Sequence, residues 1–392
     1  MSGRMLVTFA ALVFWLIPAA APAVPLFPLQ LGAYSQYDGS DLSGHTWQAS
    51  IWVVAENIEF KSQTYFHIRR QNWNPYGWEP LGSQDFLMRS TEEAGYLSVG
   101  GEEWHQFQTT GTPQNWIYYD PPDQTQCYTR VEVTGPMAIT VPYGYFPQTY
   151  QNKLTSYDPY HQYNPCYAYL APGLGLIKEE QTNVPSESTT QTQVLSQTGT
   201  MGVSLFPMMT GYTWTYNGRD KLKNTWQMQM QTLEQVSFGG KTYFRMRLIN
   251  YYPFGENPKR EFYMRCSANQ AWISYDGVTE YLAFQIARQG TQWNYPDPWD
   301  PGTDYIFIDF VGPINVLGGS FLAYPHDCTF VGEGGKNGYW IDYLVPAVGL
   351  VRRDDYVLPG PDRAPLIFEL VKMEQVGSAN PGNPGVLLLL LE

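Results

Sequence analysis

The chain has 392 residues, enough for two ordinary domains with sizeable cores. Only 15% of residues are charged while 16% are aromatic, and 30 prolines and 36 glycines punctuate the sequence, which excludes a disordered chain or a helical bundle and favours short strands. A net charge of −13, with no basic cluster beyond pairs such as Arg69-Arg70 and Arg352-Arg353, excludes electrostatic binding to nucleic acid or to an anionic lipid surface.

Residues 1–23 read as a secretory signal peptide. Arg4 supplies the positive start, Leu6 to Ile17 the apolar stretch, and Ala21-Pro22-Ala23 a small-residue cleavage site. The apolar stretch is too short for a membrane-spanning helix, so no transmembrane segment is expected. Export to the periplasm or out of the cell is expected.

The rest of the chain is written twice. "LFPLQLGAY" from Leu26 returns as "LFPMMTGYT" from Leu205, and "TYFHIR" from Thr64 returns as "TYFRMR" from Thr242. A longer block repeats at a spacing of 177, from Gly100/Gly277 through Trp116/Trp293, Tyr118/Tyr295 and Asp120/Asp297. "YLAPGLGLIKEE" from Tyr169 is answered by "YLVPAVGLVRRD" from Tyr343. Units this long are whole domains from a duplication. The reading places one β domain at 24–180 and a second at 204–375. Between them, the Ser/Thr/Gln-rich stretch 181–203 reads as a linker, or a linker carrying one ragged edge strand, and 376–392 as a Gly/Pro/Asn tail with a short apolar end.

Within each copy the local pattern is β. "HTWQASIWVVAENIEF" and "NTWQMQMQTLEQVSF" alternate apolar and polar residues over strand-length stretches, and "FGGKTYF" reads as a hairpin turn. No mature segment has a helical period. The expected fold is all-β: two tandem domains, each a curved antiparallel sheet or half-open β-barrel. The closing "PGLGL" and "PAVGL" segments read as a turn feeding each domain's last strand rather than as a phosphate loop, because no helix pattern follows them.

Four cysteines, Cys127, Cys166, Cys266 and Cys328, suggest disulfides in an exported protein. Separate folding of the two copies favours pairing within each, Cys127 with Cys166 and Cys266 with Cys328; buried thiols are the alternative.

The opening "P-x-x-x-G-x-x-W-x-Y", intact as "PMMTGYTWTY" in copy two and degraded to "PLQLGAYSQY" in copy one, resembles a family of exported bacterial two-repeat proteins. Their repeats close on "Y-x-x-G-V-G-L-V-K". More distantly, the units resemble the half-open barrels of the periplasmic lipoprotein carriers LolA and LolB. That resemblance implies a concave face able to hold acyl chains.

The candidate site residues follow from the shared "W-x-Y-x-D-P-x-D" block. Trp116, Tyr118, Trp293 and Tyr295 offer broad faces for a sugar ring or acyl chain. Asp120, Asp123, Asp297 and Asp300 are a weaker candidate for calcium, although no calcium-loop spacing is present. The bland alternative is an ordered crossover packed under its aromatics. Trp73 and Trp78, in "NWNPYGWEPLG", form a second aromatic candidate. His45, His67 and His105 of copy one align with Lys223, Arg245 and Leu282 in copy two, and no nucleophile elbow or metalloprotease motif occurs. The function expected is therefore non-enzymatic, with no cofactor: an exported β protein holding a hydrophobic ligand or contacting an envelope-associated partner. Alternatives are a structural or glycan-binding surface protein, and a hydrolase with an active site assembled from scattered residues.

Overall fold

The computed structural model describes residues 25–71, 83–99, 102–109, 115–119, 127–158, 160, 162–183, 188–220, 222–249, 260–297, 302–309, 311–317, 319–332, 337–356 and 366–375. The signal-like segment, Trp73, Trp78, Asp120, Asp123, Asp300, His161 and the C-terminal tail lie outside them.

The first sheet contains β1 (Ala33–Asp41), β2 (Thr46–Phe60), β3 (Gln63–Gln71), β4 (Ser83–Ser90), β5 (Ala94–Val99) and β6 (Glu102–Gln108). It continues through β7 (Asn115–Tyr119), β8 (Tyr128–Val141), β9 (Gly144–Tyr157), β10 (Cys166–Ala171), β11 (Gly175–Asn183) and β12 (Ser188–Thr200). The second contains β13 (Tyr212–Arg219), β14 (Thr225–Phe238), β15 (Lys241–Ile249), β16 (Arg260–Cys266), β17 (Gln270–Ser274) and β18 (Tyr281–Gln285). Its other strands are β19 (Gln292–Pro296), β20 (Gly302–Ile308), β21 (Gly312–Val316), β22 (Gly319–Gly332), β23 (Asn337–Val345), β24 (Gly349–Tyr356) and β25 (Leu366–Gln375). Every pairing is antiparallel. The orders are β6-β5-β4-β3-β2-β1-β12-β11-β10-β9-β8-β7 and β18-β17-β16-β15-β14-β13-β25-β24-β23-β22-β20-β19, with β21 joined to β22. The duplication expected from the sequence is thus present as two nearly closed, barrel-like sheets.

In each barrel the first-half edge meets the second-half edge with no strand pairing among the described residues, and the repeated aromatic block spans that seam. Trp116 Nε1 on β7 donates to the His105 carbonyl on β6 at 2.6 Å, and Trp293 Nε1 on β19 donates to the Leu282 carbonyl on β18 at 2.8 Å. Trp104 stacks on Tyr118 at 6.2 Å, and Tyr281 meets Tyr295 at 6.0 Å. A second repeated device ties β1 and β13 to the turn-proximal strands. Tyr37 Oη donates to the Leu176 carbonyl and Tyr216 Oη to the Leu350 carbonyl, both at 2.9 Å.

The stretch read as a linker, with at most an edge strand, is instead dominated by β12, a strand paired to β1 on one side and β11 on the other. Threonine suits a pleated strand, and Leu195 is fully buried at its centre, so the polar composition concealed a central strand. The closing glycine turn accordingly feeds the penultimate strand, not the last. The expected disulfides are also absent among the described residues. Tyr128 of β8 and Cys166 of β10 pair with opposite edges of β9, which puts Cys127 and Cys166 two strand spacings apart, roughly 9–10 Å, beyond the reach of a bridge. Cys266 on β16 and Cys328 on β22 are on well-separated strands of the second sheet. The Cys328 thiol contacts the His326 carbonyl at 3.4 Å, and burial pushes the Cys266 thiol up to about 12.

The two barrels pack against each other. Val53, Val54 and Ala55 of β2 are all buried: a bulge at Val54 breaks the alternation, leaving Val53 on the interior of the first barrel and Ala55 against the second. Ala55, Ile58, Phe60, Tyr65 and Leu87 join the core of the second barrel.

Candidate functional site

The interiors of the two barrels differ at one level. In the second barrel a single cross-strand row runs Met373–Trp214–Met230–Leu248–Arg260 over β25, β13, β14, β15 and β16. Trp214 is fully buried, its indole N–H bonded to the Val348 carbonyl at 2.8 Å, and Met230 and Met373 pack beside it. In the first barrel the equivalent row, over β12, β1, β2, β3 and β4, is Thr198–Ser35–Ile51–Arg70–Gln84. Serine stands where tryptophan stood, and Ala33 where the second barrel has Tyr212. The large rings that would fill the first barrel are missing.

The result is a cavity of about 550 Å³ inside the first barrel. Its wall is mainly apolar, with Ile51, Val53, Ile68, Phe86, Met88 and Leu97 contributed by β2 to β5. Gln30, Gly199 and Thr200, all exposed, border its opening. Polar side chains are the minority in this wall. Arg70 donates to Gln84 Oε1, Glu179 approaches from β11, and the Gln106 Oε1 is buried without a hydrogen-bond partner. Burial raises the Tyr37 phenol far above its usual range, and its one O–H is committed to the Leu176 carbonyl. An apolar chamber with a few convergent polar groups is the form taken by small-molecule sites.

A second cluster lies on the opposite face of β3 and β4, one residue away from Arg70 and Gln84. Arg69 Nε lies 2.9 Å from Asp85 Oδ1, and His67 Nε2 lies 3.1 Å from Asp85 Oδ2. All three side chains are at most 1% exposed. The second barrel completes the cluster: Arg69 donates to the Pro346 carbonyl at 3.0 Å, and the Leu322 amide donates to Asp85 at 3.2 Å. Burial alone would raise the Asp85 carboxyl, but Arg69 and then His67 outweigh it and hold it well below the usual carboxylate range. This His–Asp pair is buried where the two barrels meet, and its hydrogen bonds reach across to the second barrel.

Of the residues singled out from sequence, Trp116, Tyr118, Trp293 and Tyr295 sit on the seams, away from the row that opens the cavity. Among the described residues, no group of His, Cys, Asp or Glu has a metal-ligating arrangement. Asp297 instead follows β19, its amide donating to the Gly302 carbonyl at 3.0 Å. The cavity residues Ser35, Arg70, Gln84 and Glu179 carry no motif. Their one sequence signal is the degraded opening "PLQLGAYSQY", where Ser35 occupies the tryptophan position.

No protein-family profile matches the chain, and no curated protein matches it. Among solved structures, a Bacteroides fragilis protein with a YmcC-like fold, classed provisionally as exported, is 14% identical; the match covers 45% of this chain and 99% of that one, with a TM-score of 0.33. A Parabacteroides distasonis protein classed provisionally as a lipoprotein is also 14% identical, over 46% of this chain and all of that one, at a TM-score of 0.33. A likeness at this level assigns neither activity nor ligand.

Proposed function

We propose that the chain is an exported, non-enzymatic binding protein that takes up a small, mainly apolar molecule inside its first barrel, with the second barrel serving as a solid packing partner. The supporting observation is the exchange of Met373, Trp214 and Leu248 for Thr198, Ser35 and Arg70 at one level of otherwise duplicated barrels. Natural interiors are close-packed, and a void of this size costs stability unless something occupies it. About 550 Å³ lies within the roughly 300–1,000 Å³ of ordinary ligand sites.

The test is native mass spectrometry of protein purified from its source cell, paired with uptake of the neutral apolar dye N-phenyl-1-naphthylamine. The wild type is expected to carry a co-purifying small molecule or to take up the dye. Ser35→Trp, which restores the ring present in the second barrel, is expected to lower dye uptake at least tenfold while the chain stays folded. A clean unliganded mass, together with equal dye uptake by wild type and Ser35→Trp, overturns the reading.

A further inference from the structure

The outer face of the second barrel carries a feature that neither barrel closure nor the cavity uses. Register places Asn294, Tyr305, Thr329, Tyr339 and Tyr356 in one row across β19, β20, β22, β23 and β24. The neighbouring row begins Gln292–Phe307–Asp327. Tyr305 is 48% exposed and Tyr339 38%, and Tyr339 lies against Tyr356 with ring centroids 5.3 Å apart. Gln292, Asn294, Tyr305, Phe307, Asp327, Thr329 and Tyr339, with Trp293 of the seam, border a shallow groove of about 420 Å³. The equivalent positions in the first barrel begin Ile117–Arg130–Thr155, so the tyrosines are not part of what the fold requires.

We propose that this row is a binding platform for a neutral, extended β-1,4-linked glycan lying across the strands. Tyr305 and Tyr339 are separated by one intervening strand, roughly 9–10 Å, which is about the advance of a disaccharide along an extended β-1,4-linked chain. Every second sugar would then present the same apolar C–H face to a tyrosine ring, the contact that aromatic faces favour. Thr329 lies between the rings, and Asn294, Gln292 and Asp327 flank them as hydrogen-bonding groups for the equatorial hydroxyls. Asp327, already bonded to the Tyr339 hydroxyl at 3.3 Å, and the net charge of −13 disfavour an anionic polysaccharide. Groove and rings are displaced from the cavity of the first barrel, so this platform stands or falls independently of that proposal.

Isothermal titration of the full chain with cellohexaose, xylohexaose and mannohexaose tests it, with maltohexaose and oligogalacturonate as the curved and anionic controls. At least one β-1,4-linked hexasaccharide is expected to bind, and both controls at least tenfold more weakly. Tyr305→Ala and Tyr339→Ala are each expected to weaken binding roughly 3- to 10-fold, as the loss of one stacking contact implies. Tyr305→Phe keeps the ring face and is expected to stay within about twofold; because Tyr305 is exposed, its variants report on binding with an intact fold, checked by circular dichroism. Failure of all three β-1,4-linked probes to bind, or unchanged binding in a folded Tyr305→Ala/Tyr339→Ala double variant, overturns the proposal.

Discussion

Asp304 faces the interior of the second barrel, on the side of β20 shared by Ile306 and Ile308, and is only 3% exposed. Burial first, and the charge of Asp297 second, push its carboxyl up to about 7 from the ordinary 3.8. The folded chain therefore retains a proton that the unfolded chain releases, and this group lowers stability progressively as pH rises through that window. Asp304→Asn mimics the neutral form. In urea unfolding it is expected to match wild type near pH 4 and to exceed it by on the order of 1–2 kcal/mol at pH 8. Glu280 has the opposite sign. Burial would raise its carboxyl, but Arg265, Lys241 and Tyr243 together hold it at about 2. Its contribution is present above the ordinary 4.5 and is lost only as pH falls toward 2. Arg265, Tyr243 and Glu280 recur in the first barrel as Arg89, Tyr65 and Glu103, bonded in the same way, with Gln63 in place of Lys241. This ion-pair cluster was inherited by both copies; Asp304, which faces the position of Cys127 in copy one, was not.

The closing turns show how an element is specified by a residue elsewhere in its own barrel. Gly175 and Gly349 sit at φ +81° and +92°, where a side chain is strained. The rings of Phe27 and Phe206, from the repeated "LFP" openings, lie where a Cβ would stand. The glycine shared by the two closing motifs is thus paired with the phenylalanine shared by the two openings. Gly175→Ala and Gly349→Ala are each expected to cost about 2 kcal/mol or more in chemical unfolding, from backbone strain and overpacking combined. Gly290 provides the control: φ is +84° but nothing lies near a built Cβ, so Gly290→Ala is expected to cost only about 1 kcal/mol. The sequence makes the turn legible, since Pro and Gly recur at both sites. The following strand order was not legible, because Ser, Thr and Gln in β12 satisfy a strand and a linker equally well. The cavity was legible only as a blemish in a motif: an isolated serine in place of tryptophan does not reveal whether neighbours move in to fill the space.

Across the whole molecule, duplicated positions have met different fates. Arg69–Asp85 and Arg247–Glu261 occupy the same register on β3–β4 and β15–β16. The first pair is sealed at the barrel interface, whereas Arg247 and Glu261 remain 28% and 36% exposed. Asp85→Ala would leave Arg69 buried beside the second barrel without its carboxylate, and a loss of about 3–5 kcal/mol is expected in equilibrium unfolding. Glu261→Ala, at the equivalent exposed position, is expected to change stability by no more than about 1 kcal/mol. Equal effects would contradict the interface as described. By itself the sequence determined the repeated, all-antiparallel architecture, because alternation, turn residues and the recurrence of both motifs are local properties that survive duplication. Only the tertiary structure decided which copy of a shared position meets water, another barrel or an unfilled space. Those outcomes depend on side chains brought together from strands far apart in the chain, as when Thr198, Ser35 and Arg70 come to share one level of one barrel.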